Sequence, residues 1–175
     1  DKSSGASGSA AFIYVLQKRL SYLSYHIPNP PKGDDFAMKT AVVYYSLGGS
    51  TRSFARAEAD ARSADLIEVR PAKAYNPLTA FLRGCPAAIR QAAVPLADAP
   101  DLSAYGHVVL MAPVWAGHPA PPFNSMVKLL PAGTEVEVLL VSSSGQSDKS
   151  SAKVRALLMN QGCTVTAQRD IRSHQ

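Results

Sequence analysis

From Lys39 onward the chain alternates strand-like and helix-like segments, and this alternation restricts its fold more than any other feature. Thr40 to Tyr45 is a short β-branched and aromatic run, Thr51 to Ser63 carries the alanines and charged residues of a helix, and "DLIEV", Asp65 to Val69, is a second strand. A second helix is expected within Pro77 to Ala93, where Leu78, Phe81, Leu82, Ile89 and the alanines supply an apolar stripe. "HVVLMAPV", His107 to Val114, reads as the third strand, followed by a Pro-rich turn and a helix near Phe123 to Leu130. "EVEVLLVSSS" from Glu135 is the fourth strand, "KSSAKVRALLMNQG" the fourth helix and "CTVTAQRDI" the fifth strand. Each crossover is long enough for a helix and too long for a hairpin, which predicts an α/β three-layer sandwich built on a parallel sheet. The near-continuous apolar character of "AVVYY", "HVVLMA" and "VEVLLV" fits strands covered on both faces.

Sheets of this kind take ligands in the crevice beyond the carboxyl ends of their strands. That rule selects the loops after the first, third and fourth strands. In the first, Ser46-Leu47-Gly48-Gly49-Ser50-Thr51 runs from a strand into a helix, so backbone N–H groups, hydroxyls and the helix dipole all favour an anion. Equally, the glycines make a turn and Ser50 or Thr51 caps the helix. The run lacks the Lys of a nucleotide-triphosphate loop. In the second loop, "PVWAGHPAPP", the single Trp of the chain stands at a strand end, suited to stacking on a planar ring or to covering the core. Ala116 and Gly117 beside it let a ligand approach the backbone. The third loop offers Ser142, Ser143, Ser144 and Gly145 as small polar contacts, or is a solvated loop ending in a cap.

The first 37 residues differ in composition. "DKSSGASGSA" is a Gly/Ser linker and "PNPPKGDD" a breaker, and between them Phe12, Leu16, Leu20 and Leu23 lie at helical spacing. Residues 1–37 therefore read as an N-terminal extension with a short amphipathic helix, which offers a surface for self-association, and residues 38–175 as one domain. No apolar run reaches the ~20 residues needed to span a bilayer, and no small-residue cleavage site follows the apolar stretch after Ala10, so the cytoplasm is the expected compartment. The net charge is +5, but the basic residues are scattered singly, which argues against a nucleic-acid partner. Cys85 and Cys163 have neither disulfide-scaffold nor zinc spacing and read as buried thiols.

With all three loops in place, Lys39 to Ile171 resembles the flavodoxin-like family, of the short-chain kind. The resemblance implies a five-stranded parallel sheet of order 2-1-3-4-5 and flavin mononucleotide (FMN) as cofactor. By it, Ser46, Gly49 and Thr51 match the family's phosphate loop, with Gly48 where a Thr is usual, and Leu47 and Ser50 lie between them. The second loop is similar to the family's ring-side loop, which implies that Pro113, Val114, Trp115, Ala116 and Gly117 flank the isoalloxazine, with Trp115 stacked on it. Ser143, Ser144 and Gly145 match the other ring-contacting segment, without the aromatic residue common there.

Three functions follow as expectations. The first is an electron carrier exchanging electrons with a redox partner protein. The second is an FMN-dependent oxidoreductase passing electrons from a reduced nicotinamide to a quinone or similar acceptor. The third is a flavodoxin-like binding module without flavin. The first 37 residues hold four of the 18 basic and three of the 13 acidic side chains, which leaves the domain at +4, unlike the acidic carriers of the family. His118 beside the second loop is a candidate proton donor or an ordinary hydrogen-bonding residue.

Overall fold

The structure is a computed structural model and describes residues 39–145 and 147–173. The expected N-terminal extension, its helix and its role in self-association lie outside the described residues.

Strand β1 (Thr40–Tyr44) leads into helix α1 (Ser50–Arg62) and strand β2 (Asp65–Glu68). A helical stretch in three parts follows: α2 (Pro77–Thr79), a π-helical turn (Ala80–Gly84) and α3 (Cys85–Ile89). Strand β3 (His107–Trp115) turns back through the two-residue β4 (His118–Pro119) into α4 (Pro121–Lys128). Strand β5 (Glu135–Ser142), helix α5 (Asp148–Asn160) and strand β6 (Thr164–Arg172) complete the domain. The strand order is β2-β1-β3-β5-β6, all parallel, with β4 antiparallel on the end of β3. Apart from β4 this is the expected 2-1-3-4-5 arrangement, whose switch point lies between β1 and β3.

The sheet is covered on both faces, which is why its inner strands are apolar throughout. Val43, Leu110, Val138 and Leu140 share one face with Phe123 and Met126 of α4 and Val154 and Leu158 of α5. Val42, Tyr44, Val109 and Met111 face Ala55 and Ala59 of α1 on the other. Full burial of one such Val, Leu or Phe side chain contributes about 1.5–3 kcal/mol. The register aligns Tyr44 with Met111 and Met111 with Leu139, so the carboxyl ends of β1, β3 and β5 sit side by side. Three loops are thereby delivered to one edge.

Two expectations are corrected here. Of the expected apolar stripe only the small residues face the core: Leu78, Phe81, Leu82 and Ile89 are exposed, and the helical stretch buries Ala80 and Ala88 together with Gly84. The cause is the close approach of the helix to Trp115, whose ring a Cβ on Gly84 would meet within 2.7 Å of Cε3. The Pro-rich turn after the third strand is a β-hairpin, in which Ala116 and Gly117 both have positive φ (51° and 80°) and Trp115 pairs with His118. Both positive φ values match a type I′ turn, the loop that suits the twist of the strands it joins. Helix α4 consequently starts earlier than expected, with Pro121 in its first turn, a position where a missing N–H costs nothing.

Glu137 of β5 is buried between two arginines. Arg62 Nη1 of α1 lies 2.8 Å from its Oε2, and Arg169 of β6 reaches its Oε1 through Nε at 3.1 Å and through Nη2. Burial alone would raise this carboxyl group's pKa, but the hydrogen bonds from Arg169 and Arg62 together hold it below the usual range. Both thiols are free, Cys163 buried and Cys85 half-buried.

Candidate functional site

The three loops line one cavity of about 230 Å³ at the carboxyl edge of the sheet. The first loop contributes Ser46, Leu47, Gly48, Ser50 and Thr51, the second Pro113, Val114 and Trp115, the third Ser143. Of the remaining predicted residues, Gly49, Ala116, Gly117, Ser144 and Gly145 are not on its wall; they shape the loops that form it. Val141 at the end of β5 and Ser173 just past β6 line it without having been singled out in the sequence, and Ser142, expected as a small polar contact of the third loop, lines it too. Ser173 enters because its N–H donates to the Ser142 carbonyl at 2.9 Å, extending the β5–β6 ladder.

Two of the loops are built on the same device. Gly49 donates its N–H to Ser46 Oγ at 3.0 Å, and Gly145 donates to Ser142 Oγ at 2.8 Å. Each glycine lies three residues after its serine and adopts a positive φ, 97° for Gly49 and 69° for Gly145. The hydroxyl thus stands in for a backbone carbonyl, and the chain reverses at the strand end. The repeated Ser-x-x-Gly spacing is the sequence signature of this device. At Gly145 the fit is also steric, since a Cβ there would meet Arg172 Cβ at 3.2 Å. Arg172 Nε in turn donates to the Ser143 carbonyl at 3.3 Å, and Asp170 accepts from both the N–H and hydroxyl of Ser147. The third loop is therefore pinned to β6.

Helix α1 opens into the cavity without a side-chain cap. Its N-cap is Gly49, not Ser50 or Thr51, and no acidic residue occupies its first turn. Gly49 N–H is used by Ser46 and Ser53 N–H returns to the Gly49 carbonyl, so within the described residues the N–H groups of Ser50, Thr51 and Arg52 have no acceptor. Thr51 is buried yet lines the cavity. Arg52 points away, paired with Glu68 at 2.5 Å. With no charged side chain on the cavity wall, attraction for an anion comes from three oriented N–H groups, neighbouring hydroxyls and the helix dipole.

Trp115 forms the opposite wall. It is half-buried and held edge-on by Tyr75 (ring centroids 5.2 Å apart, 79° between planes) and Tyr45 (6.0 Å, 80°), over Gly84. Burial, and secondarily Tyr75, pushes the Tyr45 pKa up to about 12, and burial also raises that of Tyr75. Both phenols stay neutral at working pH, so this wall is aromatic and uncharged. His118, in the returning strand of the hairpin, is buried and is not on the cavity wall. Among the described residues there is no cluster of metal-ligating side chains, and no helix is long and apolar enough to cross a membrane.

An open parallel sheet of order 2-1-3-4-5 with a loop-lined cavity at its switch point defines a flavodoxin-like fold. Solved structures agree on the fold. A candidate flavoprotein from Bacteroides eggerthii DSM 20697 superimposes with a TM-score of 0.69 at 16% identity, covering 79% of this chain and 91% of that one. One from Bacteroides uniformis ATCC 8492 gives 0.66 at 19%, covering 78% and 92%. A flavoprotein from Lactobacillus acidophilus NCFM, solved in complex with FMN, gives 0.59 at 23%, covering 75% and 92%. No protein-family profile and no curated protein matches the sequence.

Proposed function

We propose that the cavity binds FMN and that the protein transfers electrons through it. The uncapped amino end of α1 carries this reading: among the described residues its three N–H groups have no acceptor and, with Thr51 and Ser50, border the same cavity that Trp115 walls, which suits a phosphate beside a planar ring. A likeness in fold to a flavoprotein solved with FMN supports the choice of ligand. The cavity is smaller than the ~300–1,000 Å³ of most small-molecule clefts, so a ligand of that class would lie partly in solvent.

In this reading the helix end and the hydroxyls of Ser46, Ser50 and Thr51 hold the phosphate, and Trp115 backed by Tyr75 and Gly84 orients the ring. Pro113 and Val114 exclude water from the ring's inner edge, and the pinned Ser143 segment borders the other side. The bound flavin supplies the redox chemistry, accepting and giving up one or two electrons. The carrier reading takes a redox partner protein as its counterpart. An oxidoreductase acting on a quinone is the second reading, favoured by one observation: among the described residues the third-loop side of the cavity presents Val141, Ser142, Ser143 and Ser173, none of them aromatic, which leaves room for a small acceptor.

The test is a visible absorption spectrum of the full chain with added FMN after removal of free flavin, followed by extraction and chromatography. A flavin band with FMN as the extracted species is the expected result. FAD as the main species, or no band, contradicts the reading. Turnover of a reduced nicotinamide with a quinone separates the oxidoreductase from the carrier.

A further inference from the structure

The helical stretch Pro77–Ile89 turns its largest apolar side chains outward. Leu78 is 65% exposed, Phe81 71%, Leu82 61% and Ile89 49%, and their spacing of three, four and eleven places them along one ridge. Contiguous exposed apolar surface marks an interaction site where scattered single residues do not. The opposite face, Ala80, Gly84 and Ala88, is committed to Trp115 and the core, so the ridge cannot turn inward.

Charge selects the occupant. Between Glu68 and Asp98 there is no acidic residue, and four cations, Arg70, Lys73, Arg83 and Arg90, lie in that span. Arg70 is paired with Glu68, whereas Lys73, Arg83 and Arg90 make no ion pair among the described residues. Lys73 and Arg83 also line an apolar cavity of about 440 Å³ with Tyr75, Val94 and Pro95, beside the foot of the ridge. A second copy of the chain fits poorly, because the stretch from Val69 to Ala97 carries no carboxylate to pair with Arg83 and Arg90 of the other copy. An apolar ridge in a stretch whose only charges are cations, with an apolar hollow lined by two of them, matches a surface that is fluid, apolar below and anionic above.

We infer that the ridge of Leu78, Phe81, Leu82 and Ile89, with Lys73, Arg83 and Arg90, docks the protein on an anionic lipid surface. The apolar side chains enter the acyl boundary, the cations meet headgroup phosphates, and the hollow admits part of one acyl chain. This inference does not depend on flavin binding.

Co-sedimentation of the full chain with phosphatidylcholine vesicles, with and without phosphatidylglycerol, tests it. Binding is expected only to the phosphatidylglycerol vesicles and is expected to weaken as salt rises. Phe81→Ser with Leu82→Ser removes apolar contact and should weaken binding by about tenfold or more, and Lys73→Gln with Arg83→Gln by roughly tenfold. Both pairs are on the surface, and an unchanged thermal melt checks that they fold. Equal sedimentation with both vesicle types, no sedimentation with either, or unchanged binding by the Phe81/Leu82 variant overturns the inference. So does lipid-free, concentration-dependent dimerisation abolished by that variant, which assigns the ridge to a second copy. Binding to soluble polyglutamate as tight as to vesicles, and indifferent to Phe81 and Leu82, overturns it in favour of an acidic protein.

Discussion

Gly84 lies against the Cε3–Cζ3 edge of Trp115, closely enough that no other residue type fits without moving the ring. Gly84→Ala therefore acts on the candidate site through the tryptophan. Overpacking of this kind costs about 1–3 kcal/mol of stability. The variant should show a lower melting temperature and an altered near-ultraviolet circular dichroism signal from Trp115, together with weaker FMN binding. A variant with wild-type stability and an unshifted tryptophan signal contradicts the packing described.

Thr51 separates a phosphate ligand from a structural hydroxyl. Because Gly49 is the N-cap, Thr51 has no capping bond to lose. Thr51→Val should therefore leave the melting temperature of ligand-free protein nearly unchanged. It should weaken FMN by the roughly 1.5–3 kcal/mol of a hydrogen bond to a charged group while riboflavin, which lacks the phosphate, is bound as before. Isothermal titration with both flavins makes the comparison. Equal weakening of the two removes Thr51 from the phosphate.

Acid stability depends on Glu137. Its folded-state pKa is held below its unfolded value, so its contribution is fully present above the ordinary carboxylate range and is lost as pH falls through the lowered value. Chemical denaturation at stepped pH should show stability falling on the acid side of the ordinary carboxylate range. Glu137→Gln should cost about 1–3 kcal/mol at neutral pH, nearer the low end because both guanidinium groups reach solvent. The variant should also lose part of the acid-side slope. A slope identical to wild type places the titrating group elsewhere.

The sheet and its loops were legible in the sequence because their signals are local. Apolar runs such as Val108 to Ala112 specify inner strands whatever they pack against, and strand ends followed by Gly and Ser specify the loops that wall the cavity. The direction of the Pro77–Ile89 stretch was not legible. Its Leu, Phe and Ile stripe has the spacing of a core-facing helix, and what turns it outward is the bulk of Trp115, some thirty residues away in the chain, which accepts only the Ala80, Gly84 and Ala88 side. The hairpin at Ala116-Gly117 was hidden for another reason, since Ala rarely adopts the positive φ it takes there. Ser173 was beyond reach because only the β5–β6 register brings it to the cavity.

The central claim is that FMN lies in the cavity between the amino end of α1 and Trp115. The chain has a single Trp, so its emission reports on one place. Titration of flavin-free protein with FMN should quench that emission almost completely, with the same midpoint as the change in flavin fluorescence. Tight binding of FMN with the emission of Trp115 unchanged would show that the tryptophan serves only to cover the core and that the flavin lies elsewhere.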